Sequence, residues 1–132
     1  MLNSENRKAT KEEVERIVNF LDKVQCLRVK VVPEYPERLK IWWPQWIDRE
    51  MTWKVVHEDG PANSMKISPE DIVNEQIDAV MFLLDSTNWN EVLIVKKASL
   101  MKVLEDKNRP TRFSIDKIPA DDYLFFKLSK VK

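Results

Sequence analysis

The sequence predicts a mostly α-helical single domain of about four helices, and three observations predict it. Thr10 and Glu13 have capping-box spacing directly before Val14, Ile17, Val18, Leu21 and Val24, which recur at helical intervals. Ser68, Pro69, Glu70 and Asp71 combine an N-cap residue, a proline at the first helical position and early carboxylates that favour the helix dipole. Asn88 and Glu91 repeat the capping-box spacing ahead of Leu93, Leu100, Met101 and Leu104.

In chain order, residues 1–9 are polar and read as a flexible tail, leaving 10–132 as one helical domain. The first helix covers residues 11–25. Leu27, Val29 and Val31 then alternate with Arg28 and Lys30, the period of a short strand, until Pro33 and Pro36 interrupt it. From Arg38 to Lys54 the chain carries four tryptophans around Pro44, with a period that is neither 2 nor 3.6. This segment reads as a lid over the core, with a second extended piece at 52–56. His57 to Gly60 is a turn signal, and 61–66 reads as loop. The second helix, 69–85, has an apolar stripe of Ile72, Val73, Ile77, Val80, Met81 and Leu84. The third covers 89–105, although Val92 to Val95 also suits a strand. Residues 106–112 form a basic loop, and 114–118 hold a turn or two of helix before Pro119. Asp121 or Asp122 then caps a last helix carrying Leu124, Phe125, Leu128 and Val131; the alternative is a strand with Leu124, Phe126 and Leu128 on one face. The last third accommodates a degenerate helix-turn-helix, with one or two short extended segments elsewhere in the domain.

Composition narrows the function classes. The chain has 132 residues, 43% of them hydrophobic and 33% charged, which suits one folded domain rather than a disordered chain. The longest apolar run, Ala79 to Leu84, is far shorter than the roughly 18–20 residues of a membrane span. Arg7 and Lys8 are followed by no apolar h-region, so a cytoplasmic location is expected. A lone cysteine, Cys26, and a lone histidine, His57, exclude an intrachain disulfide and a histidine-based zinc cluster. A lone glycine, Gly60, excludes GxGxxG and P-loop cradles. No cofactor, metal or small-molecule substrate is therefore expected. Cys26 as nucleophile with His57, Glu58 and Asp59 nearby is the one enzymatic constellation. Its competing reading, a small buried thiol and a solvated turn histidine, makes a non-enzymatic protein the expectation.

Charge is unevenly spread. Residues 1–95 hold 12 basic and 17 acidic side chains, whereas 96–132 hold 10 and 5, so the two parts carry about −5 and +5. Lys96, Lys97, Lys102, Lys107, Arg109, Arg112 and Lys117 are the candidate nucleic-acid contacts, suited to phosphate neutralisation without sequence preference. Trp42, Trp43, Trp46 and Trp53, interleaved with Arg38, Lys40, Arg49 and Lys54, are the candidate partner-binding residues. They read as core packing, as a protein or self-association interface with Trp42 and Trp43 pointing to opposite sides, or as a base-stacking platform.

The order of several short segments adds a resemblance. Glu12 to Glu15 (EEVE), Trp43 and Pro44, Ser68 to Ile72 (SPEDI), Leu83 and Leu84, and Val95 to Ser99 (VKKAS) resemble a family of uncharacterised phage and alphaproteobacterial prophage proteins that end in a helix-turn-helix. The resemblance spans residues 12–99 and implies an all-helical, DNA-associated regulator or a packaging adaptor like the small terminase subunit. In the position of the family's recognition helix, Ser114 to Asp122 contains Pro119 and offers Ser114, Asp116 and Lys117 as its polar groups. The expectation is therefore a homo-oligomeric, DNA-associated binding protein acting through its basic C-terminal third. The alternative is a protein-interaction module, a small inhibitor or adaptor, that uses the tryptophans and does not bind DNA.

Overall fold

The computed structural model describes residues 11–23, 27–44, 46–58, 64–73, 76–84, 91–104 and 109–127. The expected tail at 1–9, Thr10 of the first capping box, Cys26 and the Asn88 cap lie outside them. Strand, not helix, dominates: α1 (Lys11–Leu21), β1 (Arg28–Val32), β2 (Tyr35–Trp43), β3 (Ile47–Glu58), β4 (Met65–Ile67), α2 (Pro69–Ile72), β5 (Ala79–Leu84), β6 (Glu91–Lys96), α3 (Lys97–Val103), β7 (Thr111–Phe113) and β8 (Tyr123–Lys127). Two 3-10 turns, Ile115–Lys117 and Ala120–Asp122, precede β8.

The six long strands form one mixed sheet in the order β1-β2-β3-β5-β6-β8. Every pairing is antiparallel except β3 with β5, whose parallel register (Trp53 opposite Ala79, Val55 opposite Met81) requires a crossover. That crossover contains β4 and α2, and β4 pairs with β7 in a small separate sheet.

Side-chain alternation divides the core in two. Leu39, Ile41, Met51, Trp53, Val55, Met81 and Ile94 pack on one face against Val14, Ile17 and Leu21 of α1. On the other face Val56, Val80, Phe82, Leu93 and Val95 meet Ile72 of α2, Leu100 of α3, Met65 and Ile67 of β4, and Phe113 of β7. The result is a three-layer α+β body with the sheet in the middle.

The expected mostly α, all-helical fold is overturned by this sheet. The apolar stripe assigned to a helix at 69–85 splits into a four-residue helix at Pro69–Ile72 and the central strand β5, all six of whose residues are buried. A strand covered on both faces reads as a continuous apolar run, and six such residues cannot be told from buried helix by period alone. Similarly, the described part of 89–105 is β6 followed by α3, so that Val92 to Val95 take the strand alternative, and Tyr123–Lys127 form β8, again the strand alternative rather than the last helix. The degenerate helix-turn-helix is therefore absent from the described residues. Pro119 lies between two 3-10 turns instead of in a recognition helix. The tryptophan segment is not a lid: it supplies two long strands of the sheet itself. The first helix begins where expected but ends at Leu21 rather than at 25, and the strand at 28–32 matches the expected extended segment. Among the described residues no helix is long and apolar enough to cross a membrane.

Candidate functional site: an uncovered basic face of the sheet

The layer built from α2, α3, β4 and β7 does not cover the whole sheet. Its apolar cluster takes residues from β3, β5 and β6 but none from β1 or β2 among the described residues. In register, Arg28 opposes Trp42, Lys30 opposes Lys40, Trp42 opposes Glu50, Lys40 opposes Thr52, and Arg38 opposes Lys54. Alternation sets this row on the same face as Val56. Arg28 and Lys30 are exposed, Lys40 is half-buried, and Trp42 keeps 37% of its surface in solvent.

These residues enclose a shallow pocket of about 220 Å³ lined by Arg28, Lys30, Lys40, Trp42 and Glu50. The Arg28 guanidinium lies 5.4 Å from the Trp42 ring centroid, and Arg38 lies 4.4 Å from that of Tyr35. Such cation–π contacts immobilise both the arginine and the ring and leave the cation charged. Lys30 Nζ stands 4.0 Å from Glu50 Oε2, an exposed pair that contributes little to stability. Directly opposed like charges such as Lys30 and Lys40 oppose strand pairing. A surface arranged in this way suits an anionic partner better than it suits the sheet.

The edge of the patch is held by two ion pairs. Lys54 Nζ donates to Asp71 Oδ1 of α2 at 3.3 Å, with both side chains only 6% exposed. Asp78, directly before β5, accepts from Arg49 Nη2 at 2.6 Å and from the Thr52 backbone N–H at 2.8 Å. Its own N–H donates to the Thr52 carbonyl, and its carbonyl accepts from the Lys97 N–H, so one residue joins β3, β5 and α3. Burial by itself raises the Asp78 carboxyl; the hydrogen bonds from Arg49 and Thr52 and the attraction of Arg49 and Lys40 outweigh it and hold the group below the usual carboxylate range. Arg49 is correspondingly raised, first by its hydrogen bond to Asp78 and then by the charge attraction.

A depressed native carboxyl stabilises the fold above its ordinary value of about 3.9, and this stabilisation is lost as pH falls through the lower native value. Asp78→Asn should lower the melting temperature by a constant amount above about pH 5, and the gap from the parent should close in more acid solution. Paired thermal melts across that range check this, and a gap that widens on acidification would contradict it.

The four tryptophans have different surroundings. Trp42 faces the patch, whereas Trp43, on the opposite face, stacks on Phe126 with centroids 6.1 Å apart. Trp46 donates through Nε1 to the Asp121 carbonyl at 3.2 Å and meets Trp53 edge-on at 5.8 Å. Trp53 is fully buried. Of the proposed partner-binding set, Trp42 is therefore the one placed to meet a ligand in stacking geometry.

The basic C-terminal residues do not share one surface role. Lys96 reaches Asp122 at 3.7 Å and lies 5.1 Å over the Trp46 ring. Lys97 begins α3, Arg109 is exposed ahead of β7, and Lys107 is outside the described residues. Lys102, Arg112 and Lys117 come together around a cavity between α3 and β7.

His57 is not a solvated turn residue: it lies in β3, one residue before its end at Glu58, facing α1, 3% exposed, with Nε2 2.7 Å from Glu13 Oε2. Among the described residues no cluster of three His, Cys, Asp or Glu side chains is placed to hold a metal ion.

Sequence reasoning had singled out Lys40 and Trp42 but missed Arg28 and Lys30 as site residues. The signal was present, because the alternation of β1 puts Arg28 and Lys30 together on the face opposite Leu27 and Val29. No family model, curated protein or solved structure matches this chain.

Proposed function

We propose that this protein is a non-enzymatic, cytoplasmic nucleic-acid-binding protein, and that it takes single strands on the uncovered β1–β3 face. One observation carries the reading: Trp42 lies exposed in the sheet, in register with Arg28 and beside Lys30 and Lys40. Bases splayed from a single strand stack on such an aromatic while the neighbouring cations neutralise phosphates. Strand spacing of about 4.8 Å and a rise of about 3.3 Å per residue make the patch roughly 10 by 14 Å, room for two or three bases. The described residues offer no recognition helix for a duplex major groove, so stacking on strands replaces the mode that the phage-family resemblance implies. The reading rests on this face of the sheet and not on that resemblance, whose all-helical fold the sheet overturns. A protein-interaction module would use the same face for an acidic partner, and the test below separates the two.

A fluorescent oligonucleotide of about 12 residues, thymidine or uridine, titrated against the full chain, provides the measurement. Trp42→Ala should weaken binding about 5- to 150-fold, the worth of one stacked base, and Trp42→Phe should retain most of it. Absence of binding at about 50 mM salt, or a Trp42→Ala protein that binds as well as the parent, would overturn the reading and favour a protein partner.

A further inference from the structure

A second, larger cavity opens between α3 and β7. It has a volume of about 750 Å³, within the range of small-molecule sites. Three cations line it: Lys102 of α3, Arg112 of β7 and Lys117 of the first 3-10 turn. No Asp or Glu is among the described residues that line it, although the Ser99 hydroxyl at its wall donates to Asp122 Oδ2 at 2.7 Å. Val103, Phe113 and Pro119 supply an apolar wall.

Two hydroxyls in this wall are already committed as acceptors. Arg112 Nη1 donates to both the carbonyl and the Oγ of Ser64, each at 3.3 Å. The Asp116 backbone N–H donates to Ser114 Oγ at 3.2 Å. A hydroxyl whose oxygen accepts from protein has its own proton to give, so Ser64 and Ser114 are set to donate. The bonds to Ser64 also restrict the Arg112 side chain, which lowers the ordering cost when it meets a ligand. Three cations and two donor hydroxyls around one cavity, with no carboxylate among its described lining residues, form a site for a compact dianion. Charge-assisted hydrogen bonds of this kind are the strong ones, and Arg matches phosphate geometry with two parallel donors.

We propose that this cavity binds a small organic phosphate monoester, with its phosphate at Lys102, Arg112 and Lys117 and its apolar or aromatic part against Phe113, Val103 and Pro119. The volume exceeds what an inorganic phosphate ion fills, and the apolar wall has no use for the ion alone. The site does not depend on the β1–β3 face for any of its residues.

Calorimetric titration of the full chain with adenosine 5′-monophosphate, inorganic phosphate and adenosine tests this. The monophosphate should bind with a dissociation constant below about 1 mM and at least about tenfold tighter than either fragment. Lys117→Gln, at an exposed position, should weaken it about tenfold or more, the loss expected for one charge-assisted contact. Arg112→Met should do the same, and its circular dichroism spectrum and melting temperature report whether the fold is intact. Equal binding of inorganic phosphate would overturn the organic half of the proposal. Equal binding of adenosine, no binding at all, or indifference to Lys117→Gln would overturn all of it. A Trp42→Ala protein that still binds the monophosphate while losing the oligonucleotide separates the two sites.

Discussion

Asp71→Ala is expected to cost about 3–5 kcal/mol of folding stability, the largest loss expected from a single substitution outside the apolar core. The reason is what remains behind. Lys54 is 5% exposed, and its ammonium reaches Asp71 across the boundary between β3 and α2. Removing the carboxylate leaves a cation out of water opposite a second cation, Arg38, in the strand register. A domain of this size has only about 5–15 kcal/mol in total, so the variant should unfold at much lower denaturant. Replacing both partners, as in Lys54→Met with Asp71→Leu, should restore stability to within about 1–2 kcal/mol of the parent, because a packed apolar pair avoids both desolvation penalties. Urea denaturation midpoints of the parent, single and double variants check this. A single variant as stable as the parent would show that the pair is solvated and that α2 does not close the edge of the patch.

How far this architecture was legible in the sequence follows from the same physics. Helix α1 was legible because it is amphipathic: Val14, Ile17 and Leu21 are buried, and its remaining residues are mostly exposed. Strand β1 was legible because it lies at an edge and keeps a polar row, Arg28 and Lys30, beside an apolar one. The centre of the sheet was not. Ala79–Leu84 and the middle of β6 are buried on both faces, so nothing polar marks their period, and the helix start at Ser68–Pro69 invited a long helix. That start is real, but α2 stops after four residues, because within the crossover the chain must reach Ala79, opposite Trp53, in extended form.

The tryptophan segment resisted a period for another reason. The β2–β3 register shifts between Trp42 and Trp43, and Trp46 sits in the turn with its N–H donating to the Trp43 carbonyl. A bulge at the hairpin breaks the alternation that would have shown two strands. The site was half legible for the same cause. Lys40 and Trp42 stood out by type, but only the register sets Arg28 beside Trp42 and Lys30 beside Lys40.

The salt dependence of oligonucleotide binding provides the second large effect and tests the electrostatic half of the proposed function apart from stacking. Arg28, Lys30 and Lys40 line the pocket at Trp42, and three phosphate contacts on a single strand give a slope of about −2.1 in log affinity against log salt. Raising salt from about 50 to 200 mM should therefore weaken binding about twentyfold. Lys30→Gln with Lys40→Gln leaves Arg28, so the slope should fall to about −0.7 and the loss over the same range to about threefold. Lys30 and Lys40 oppose each other in the strand register, so neutralising both removes a repulsion that offsets the lost exposed contact to Glu50 and the attraction of Lys40 for Asp78, and should leave stability close to that of the parent. Weaker binding with unchanged melting then assigns the effect to the surface. The C-terminal cations give the contrasting control. Lys96 is engaged by Asp122 and Trp46, and Lys102, Arg112 and Lys117 surround the other cavity. If Arg112→Ala flattened the slope and the Lys30/Lys40 variant did not, the nucleic acid would run along α3 and β7, and the open face of β1–β3 would need a protein partner to explain Trp42.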